Sequence, residues 1–160
     1  SEEVSSLRTS TAEIETFLVD NAASKDVAVG GYDAYEVSFT LKPQFEGKTK
    51  VTLCNACGEK FSLEFDTENM TVLADRSESG KMTRIKSFVL MPAAPLGLCN
   101  SSDGYDVDVF VDKCSVEVFV DGGRIAMTNL VFPSESFDNI VFESTGESEI
   151  SNMFIHKIGK

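Results

Sequence analysis

The chain contains no tryptophan and a single histidine among its 160 residues. Without an indole, a ring-shaped ligand would have to lie on phenylalanine or tyrosine, or be held by hydrogen bonds alone. The one histidine, His156, leaves little material for a histidine-based metal site. It also argues against a Ser/His/Asp triad, since no Gly-x-Ser-x-Gly elbow accompanies it. His156 sits in the amphipathic run Ile150–Ile158 and is expected to be a strand-face or edge residue. Basic residues are scarce too: 14 Lys and Arg stand against 26 Asp and Glu, for a net charge of −12. That balance excludes nucleic acid as a partner, because such affinity comes from Lys and Arg neutralising phosphates. The acidity reads as a solubility device. No run approaches the roughly 20 apolar residues of a membrane span, so none is expected. No signal peptide is present either, but the chain opens at Ser1 without Met and reads as an excised segment. Its compartment therefore does not follow from the missing leader.

Helical periodicity is the last absence. Apart from Ser1–Arg8, no window repeats apolar residues at helical spacing. Strand alternation runs through the chain instead. Tyr35, Val37, Phe39 and Leu41 oppose Glu36, Ser38, Thr40 and Lys42, and Phe61, Leu63 and Phe65 oppose Ser62, Glu64 and Asp66. Further strands are expected over Glu13–Val19, Thr49–Cys54, Met70–Ala74, Thr83–Leu90, Arg124–Thr128, Asn139–Glu143 and Glu149–Ile158. Turn chemistry separates them at Gly30-Gly31, Glu46-Gly47, Asn55–Gly58, Asp66–Asn69, Ser79-Gly80, Asp103-Gly104 and Thr145-Gly146. About a dozen short strands exceed what one open sheet holds. The expected fold is all-β, an antiparallel two-sheet β-sandwich, with a core of Phe, Val and Leu.

The clearest pattern lies between Asp106 and Pro133. Val107-Asp-Val-Phe-Val-Asp112 and Val116-Glu-Val-Phe-Val-Asp121 are near-copies, separated by Lys113-Cys114-Ser115. Each has one face of valines and one of carboxylates around a phenylalanine. Asp121-Gly122-Gly123 turns the chain again, since glycine supplies the positive φ of a tight hairpin. This β-meander has one face for a core and another free to meet a ligand or a partner.

This stretch resembles the signature of the C-terminal β-sandwich of family 32 glycoside hydrolases, the invertases, levanases and inulinases that cleave β-fructosides. Leu73-Ala-Asp-Arg-Ser-Glu-Ser-Gly80 resembles the Asp-Arg-Ser strand end of that module. Glu3-Val-Ser-Ser-Leu-Arg8 resembles the linker joining it to a catalytic propeller. The resemblance implies a concanavalin-like sandwich over residues 11–160, preceded by a linker remnant over 1–10. It implies a partner as well, the catalytic β-propeller of a parent enzyme, and a secreted or periplasmic home. The family's catalytic segments are Asn-Asp-Pro-Asn, Arg-Asp-Pro and Glu-Cys-Pro, which carry the two carboxylates that glycoside hydrolysis needs. None occurs here, and Pro43, Pro92, Pro95 and Pro133 have no such prefix. The chain alone is expected to have no catalytic residue and no enzyme activity.

Two roles remain open for the module. It packs on and stabilises the propeller, or it binds fructan or fructose. An unrelated lectin or adhesin sandwich is the third reading. For sugar, the candidate contacts are Asp75 and Arg76, a fork of donors beside two acceptors, and Glu117 with Phe119, an acceptor beside an aromatic wall. The alternatives are an ion pair at a turn for Asp75-Arg76, and for Phe119 burial against a neighbouring module, with Glu117 paired to Arg76 or Arg124. Tyr32 is a further stacking candidate, whereas Tyr35 reads as core. Cys54-Asn-Ala-Cys57 has the spacing of a zinc or redox pair. It lacks a second such pair and a nearby histidine, so no metal or cofactor is expected. A disulfide is open for the four cysteines, and free thiols are favoured. Asn69-Met-Thr71 and Asn100-Ser-Ser102 fit the N-glycosylation triplet, which counts only in a eukaryotic secretory protein.

Overall fold

The computed structural model describes residues 8–30, 33–78, 94–96 and 104–158. Among them the chain forms strands β1 (Arg8–Ile14), β2 (Phe17–Asp20), β3 (Lys25–Ala28), β4 (Tyr35–Phe45), β5 (Lys48–Cys54), β6 (Lys60–Asp66) and β7 (Thr71–Glu78). The short β8 (Ala94–Pro95) follows, then β9 (Tyr105–Val111), β10 (Ser115–Val120), β11 (Ile125–Leu130), β12 (Asn139–Ser144) and β13 (Glu147–Ile158). No α-helix occurs among the described residues. The candidate strand Thr83–Leu90, the turn at Ser79-Gly80 and most of the Ser1–Arg8 window lie outside them.

All pairings are antiparallel. A front sheet runs in the order β1-β13-β4-β9-β10-β11, with β2 also on β13, and a back sheet in the order β3-β12-β5-β6-β7-β8. The fold is the two-sheet sandwich that the alternation called for. Strands β6, β9 and β10 show the inward apolar set most clearly: the six valines of the two near-copies are at most 4% exposed, as are Phe61, Leu63 and Phe65. Edge-to-face rings join the layers, with Phe39 of β4 lying 5.4 Å from Phe142 of β12.

Two of the departures from the sequence reading have local causes. The strand expected over Glu13–Val19 is split: β1 ends at Ile14 and β2 begins at Phe17. Both pair with β13, β1 along its second half and β2 along its first. Between those halves β13 is bulged, and Asn152 takes a left-handed φ of 50°. A bulge bends its strand, so one straight partner cannot follow it. Strand β3 was not expected at all. Its four residues show only one buried side chain, Val27, too short a stretch for alternation to register.

The turn after β10 behaves as its composition dictates. Asp121, Gly122 and Gly123 have φ values of 50°, 69° and 98°. Glycine adopts these without strain, and Asp121 is held there because its Oδ1 accepts the Asp106 N–H at 2.8 Å.

Candidate functional site

The inward valines of β9 and β10 force their other side chains outward, and the pairing register lines these into rows. Across the front sheet one row reads Thr11, His156, Glu36, Phe110, Glu117, Thr128. The next reads Glu13, Phe154, Ser38, Asp108, Phe119, Ala126. Aromatic rings dominate the centre. Phe110 and Phe119 meet edge to face at 5.7 Å, and Phe154 stacks on His156 at 6.0 Å. All three phenylalanines are half-buried. Glu36 and His156 point away from the core, yet they are only 2% and 8% exposed. The His156 Nδ1 lies 2.9 Å from Thr11 Oγ1. The two rows hold carboxylates and aromatics with no Lys or Arg.

The outer face of the back sheet is of another kind. One row reads Glu143, Lys50, Glu64, Leu73, and its neighbour Val141, Thr52, Ser62, Asp75. Asp75 is exposed there and lines a hollow of about 80 Å³ with Lys50, Lys60, Ser62 and Glu78. Lys60 Nζ lies 3.0 Å from Glu78 Oε2. The hydrogen bond to Glu78 and its charge keep the Lys60 ammonium above its ordinary pKa.

The four residues singled out for sugar binding are therefore distributed. Glu117 and Phe119 stand together on the front face, while Asp75 is on the opposite, back face. Arg76 points to the other side of β7 from Asp75. It is half-buried, and its Nη1 donates to the Leu130 carbonyl at the end of β11, 3.4 Å away, linking the back sheet to the front. Burial pushes its pKa down. Alternation across one hairpin set Phe110 beside Glu117 and Phe119, but the other neighbours that make this a site, Glu36, Phe154 and His156, come from strands far from that hairpin in sequence. No local signal pairs them.

The remaining candidates are quickly placed. Tyr35 is fully buried, its hydroxyl donating to the Phe137 carbonyl at 2.7 Å, and is core. Cys54 is half-buried with its Sγ 3.7 Å from the Asn139 carbonyl, and Cys54, Cys57 and Cys114 are free thiols. Desolvation, then the Glu135 and Glu59 carboxylates, raise the Cys57 pKa and keep it protonated. Among the described residues no group of His, Cys, Asp and Glu is arranged to hold a metal ion. Asn69 commits its side-chain amide to Asp66 Oδ2 at 2.9 Å. Tyr32, Cys99 and Asn100–Ser102 lie outside the described residues.

A family model described as "Glycosyl hydrolases family 32 C terminal" matches residues 3–157. A levanase of Bacillus subtilis is 28% identical over 148 residues, which cover 89% of this chain and 22% of that protein. A fructan beta-fructosidase of Streptococcus mutans is 31% identical over 105 residues, 64% of this chain and 7% of that protein. The chain thus spans less than a quarter of the length of either relative. An exo-inulinase structure from Aspergillus awamori superposes with a TM-score of 0.76 at 22% identity, covering 98% of this chain and 31% of that one. At that identity the likeness speaks for the fold.

Proposed function

The chain belongs to the C-terminal module family of the family 32 glycosyl hydrolases, and from that membership we propose that it is the non-catalytic sandwich of an enzyme cleaving β-fructosides such as levan, inulin or sucrose. Its role is to pack on that enzyme's catalytic propeller and stabilise it. The front face carries this reading. Half-buried Phe110, Phe119 and Phe154, spread over three strands, set aromatic rings among Glu13, Asp108 and Glu117, a mixed aromatic and polar face with the character of a docking interface. A sugar site would instead be concave, with a few convergent polar groups. With Glu117, Asp108 and Glu13 among the rings and no Lys or Arg in those rows, the matching surface should be apolar with Lys or Arg around it. The names of the relatives support the substrate class.

Two measurements test this. The coding segment upstream of Ser1 should encode a propeller with the Asn-Asp-Pro-Asn, Arg-Asp-Pro and Glu-Cys-Pro segments, and an unrelated segment there would overturn the reading. Association of that propeller with this chain should be lost in Ala126→Arg, which sets a long cation beside Phe119 from an exposed position. It should survive Glu64→Lys on the back face. By itself the chain should release no fructose from sucrose, inulin or levan.

A further inference from the structure

At one end of the sandwich a cleft of about 330 Å³ opens between the start of β4, the β9–β10 turn and the segment Pro133–Phe137. That segment carries the chain from the front sheet to the back. We propose that this cleft is a subsite for one sugar unit of a neutral saccharide, separate from the docking face. Its volume reaches the lower end of the range for small-ligand pockets, roughly 300–1,000 Å³, which suits a single ring. The floor is apolar: Tyr35, Val111 and Phe137 are all buried. Half-buried Pro133 adds a flat wall. The rim is polar, with carboxylates from Asp33, Asp112 and Glu135, the Lys113 ammonium and the Ser136 hydroxyl. An apolar floor under alternating donors and acceptors is what a sugar ring asks for, since its C–H face is apolar and each hydroxyl both donates and accepts.

The frame of the cleft is pre-set. The Tyr35 hydroxyl holds the Phe137 carbonyl at 2.7 Å, and Glu59 accepts the Ser134 N–H at 2.8 Å and its hydroxyl at 3.1 Å. Asn55 Nδ2 holds the Glu135 carbonyl at 2.8 Å. The crossing backbone is thus fixed from below, so a ligand would have to order only the rim side chains and not the chain that carries them. Ser136 Oγ lies 3.1 Å from Asp33 Oδ1 and Lys113 Nζ 3.7 Å from its Oδ2, so acceptor and donors already face one another.

Charge narrows the ligand. Three carboxylates repel an anion. The Lys113 ammonium offsets only the Asp33 carboxylate beside it, so an organic cation is the competing ligand that the spermine arm below tests. The buried floor of Tyr35, Val111 and Phe137 favours a neutral polyhydroxy compound, whose C–H face can lie on it. None of Asp75, Arg76, Glu117 or Phe119 lines the cleft. The choice of fructosides as first probes rests on the proposed function; the location of the site does not.

Calorimetry on the chain with fructose, levan, inulin, glucose and spermine tests the assignment. Saturable heat is expected with a sugar, with a Kd on the order of millimolar for so small a ligand. Asp33→Ala and Lys113→Ala, both at exposed positions, should each weaken it tenfold or more, and Asp75→Ala should leave it unchanged. Thermal scans of the variants confirm that the fold persists. No heat with any sugar, heat with spermine alone, or sugar binding indifferent to both cleft variants would overturn the proposal. Binding of glucose but no fructoside, lost in Lys113→Ala, would uphold the cleft and count against the β-fructoside reading, while the propeller-association experiment is unaffected by either result.

Discussion

The two outer faces of this sandwich are made by the same device and end with opposite chemistry. On both sheets, side chains alternate between core and outside. On the front, what is left outside is Phe110, Phe119, Phe154 and His156 among carboxylates; on the back, it is Glu143, Lys50 and Glu64 in a row of alternating sign. Charged rows are at home in water and hinder edge-on or face-on association. Aromatic rows without Lys or Arg are costly to leave in water and are stabilised against a partner. Periodicity thus decides which residues leave the core, and the identity of the leavers decides which face has work to do.

The sharpest way to break this comparison is to reverse inside and outside on one strand. Val118→Asp puts an unpaired charge at a position with no exposure. Its cost of several kcal/mol is comparable with a total stability of about 5–15 kcal/mol, so the variant should be unfolded by circular dichroism. Glu117→Gln, one residue away on the front face, should stay within about 1 kcal/mol of wild type in urea denaturation. Equal tolerance of both would mean that the faces are misassigned.

A smaller effect separates the outer faces from one another. Phe119→Ala removes a half-buried ring and its edge-to-face partner contact with Phe110, and should cost about 1–2 kcal/mol. Lys60→Ala breaks the ion pair with Glu78, in which both side chains are about half exposed (49% and 58%). Such a pair contributes about 0–1 kcal/mol and fades with salt. Denaturation at low and high salt measures both, and a Lys60 effect as large as the Phe119 effect would erase the contrast.

The smallest effect is a pH dependence where the chain crosses between sheets. Desolvation would raise the Glu59 pKa, but hydrogen bonds from Asn55, Ser134 and the Glu135 N–H outweigh it and hold it below the ordinary value. A depressed folded pKa means that the stabilisation is present above the unfolded value, about 4.3 for Glu, and is lost as pH falls through the folded one. Thermal midpoints of wild type and Glu59→Gln should differ modestly at pH 7 and converge toward pH 3. A gap that widens on acidification would reverse the sign.

Much of the fold was legible. Tyr35–Leu41, Phe61–Phe65 and the paired copies at Val107 and Val116 announced their buried faces, because a strand's period of two is written in consecutive residues. Asp121-Gly122-Gly123 announced its turn, because positive φ has few tenants. The absence of α-helix among the described residues followed from the absence of its period there. The candidate site was legible only in fragments. Glu117 and Phe119 were recognisable as neighbours, since two residues of one strand two positions apart must share a face. Phe154 and Glu36 were not, since their places beside that pair depend on β13 and β4 entering the same sheet as β9.

By itself, then, the sequence determined that the chain is an antiparallel sandwich, which residues of β4, β6, β9 and β10 face its core, and that it lacks the acidic motifs of the family's catalytic segments. Tertiary structure alone decided that Asp75 and Glu117 lie on opposite sides of the molecule, that Arg76 ties one sheet to the other through the Leu130 carbonyl, and that Asp33, Lys113 and Ser136 meet at one end. Alternation is a local property, fixed by the geometry of successive residues. The sheet to which a strand belongs is set by pairings between residues often a hundred positions apart, and no local rule encodes those.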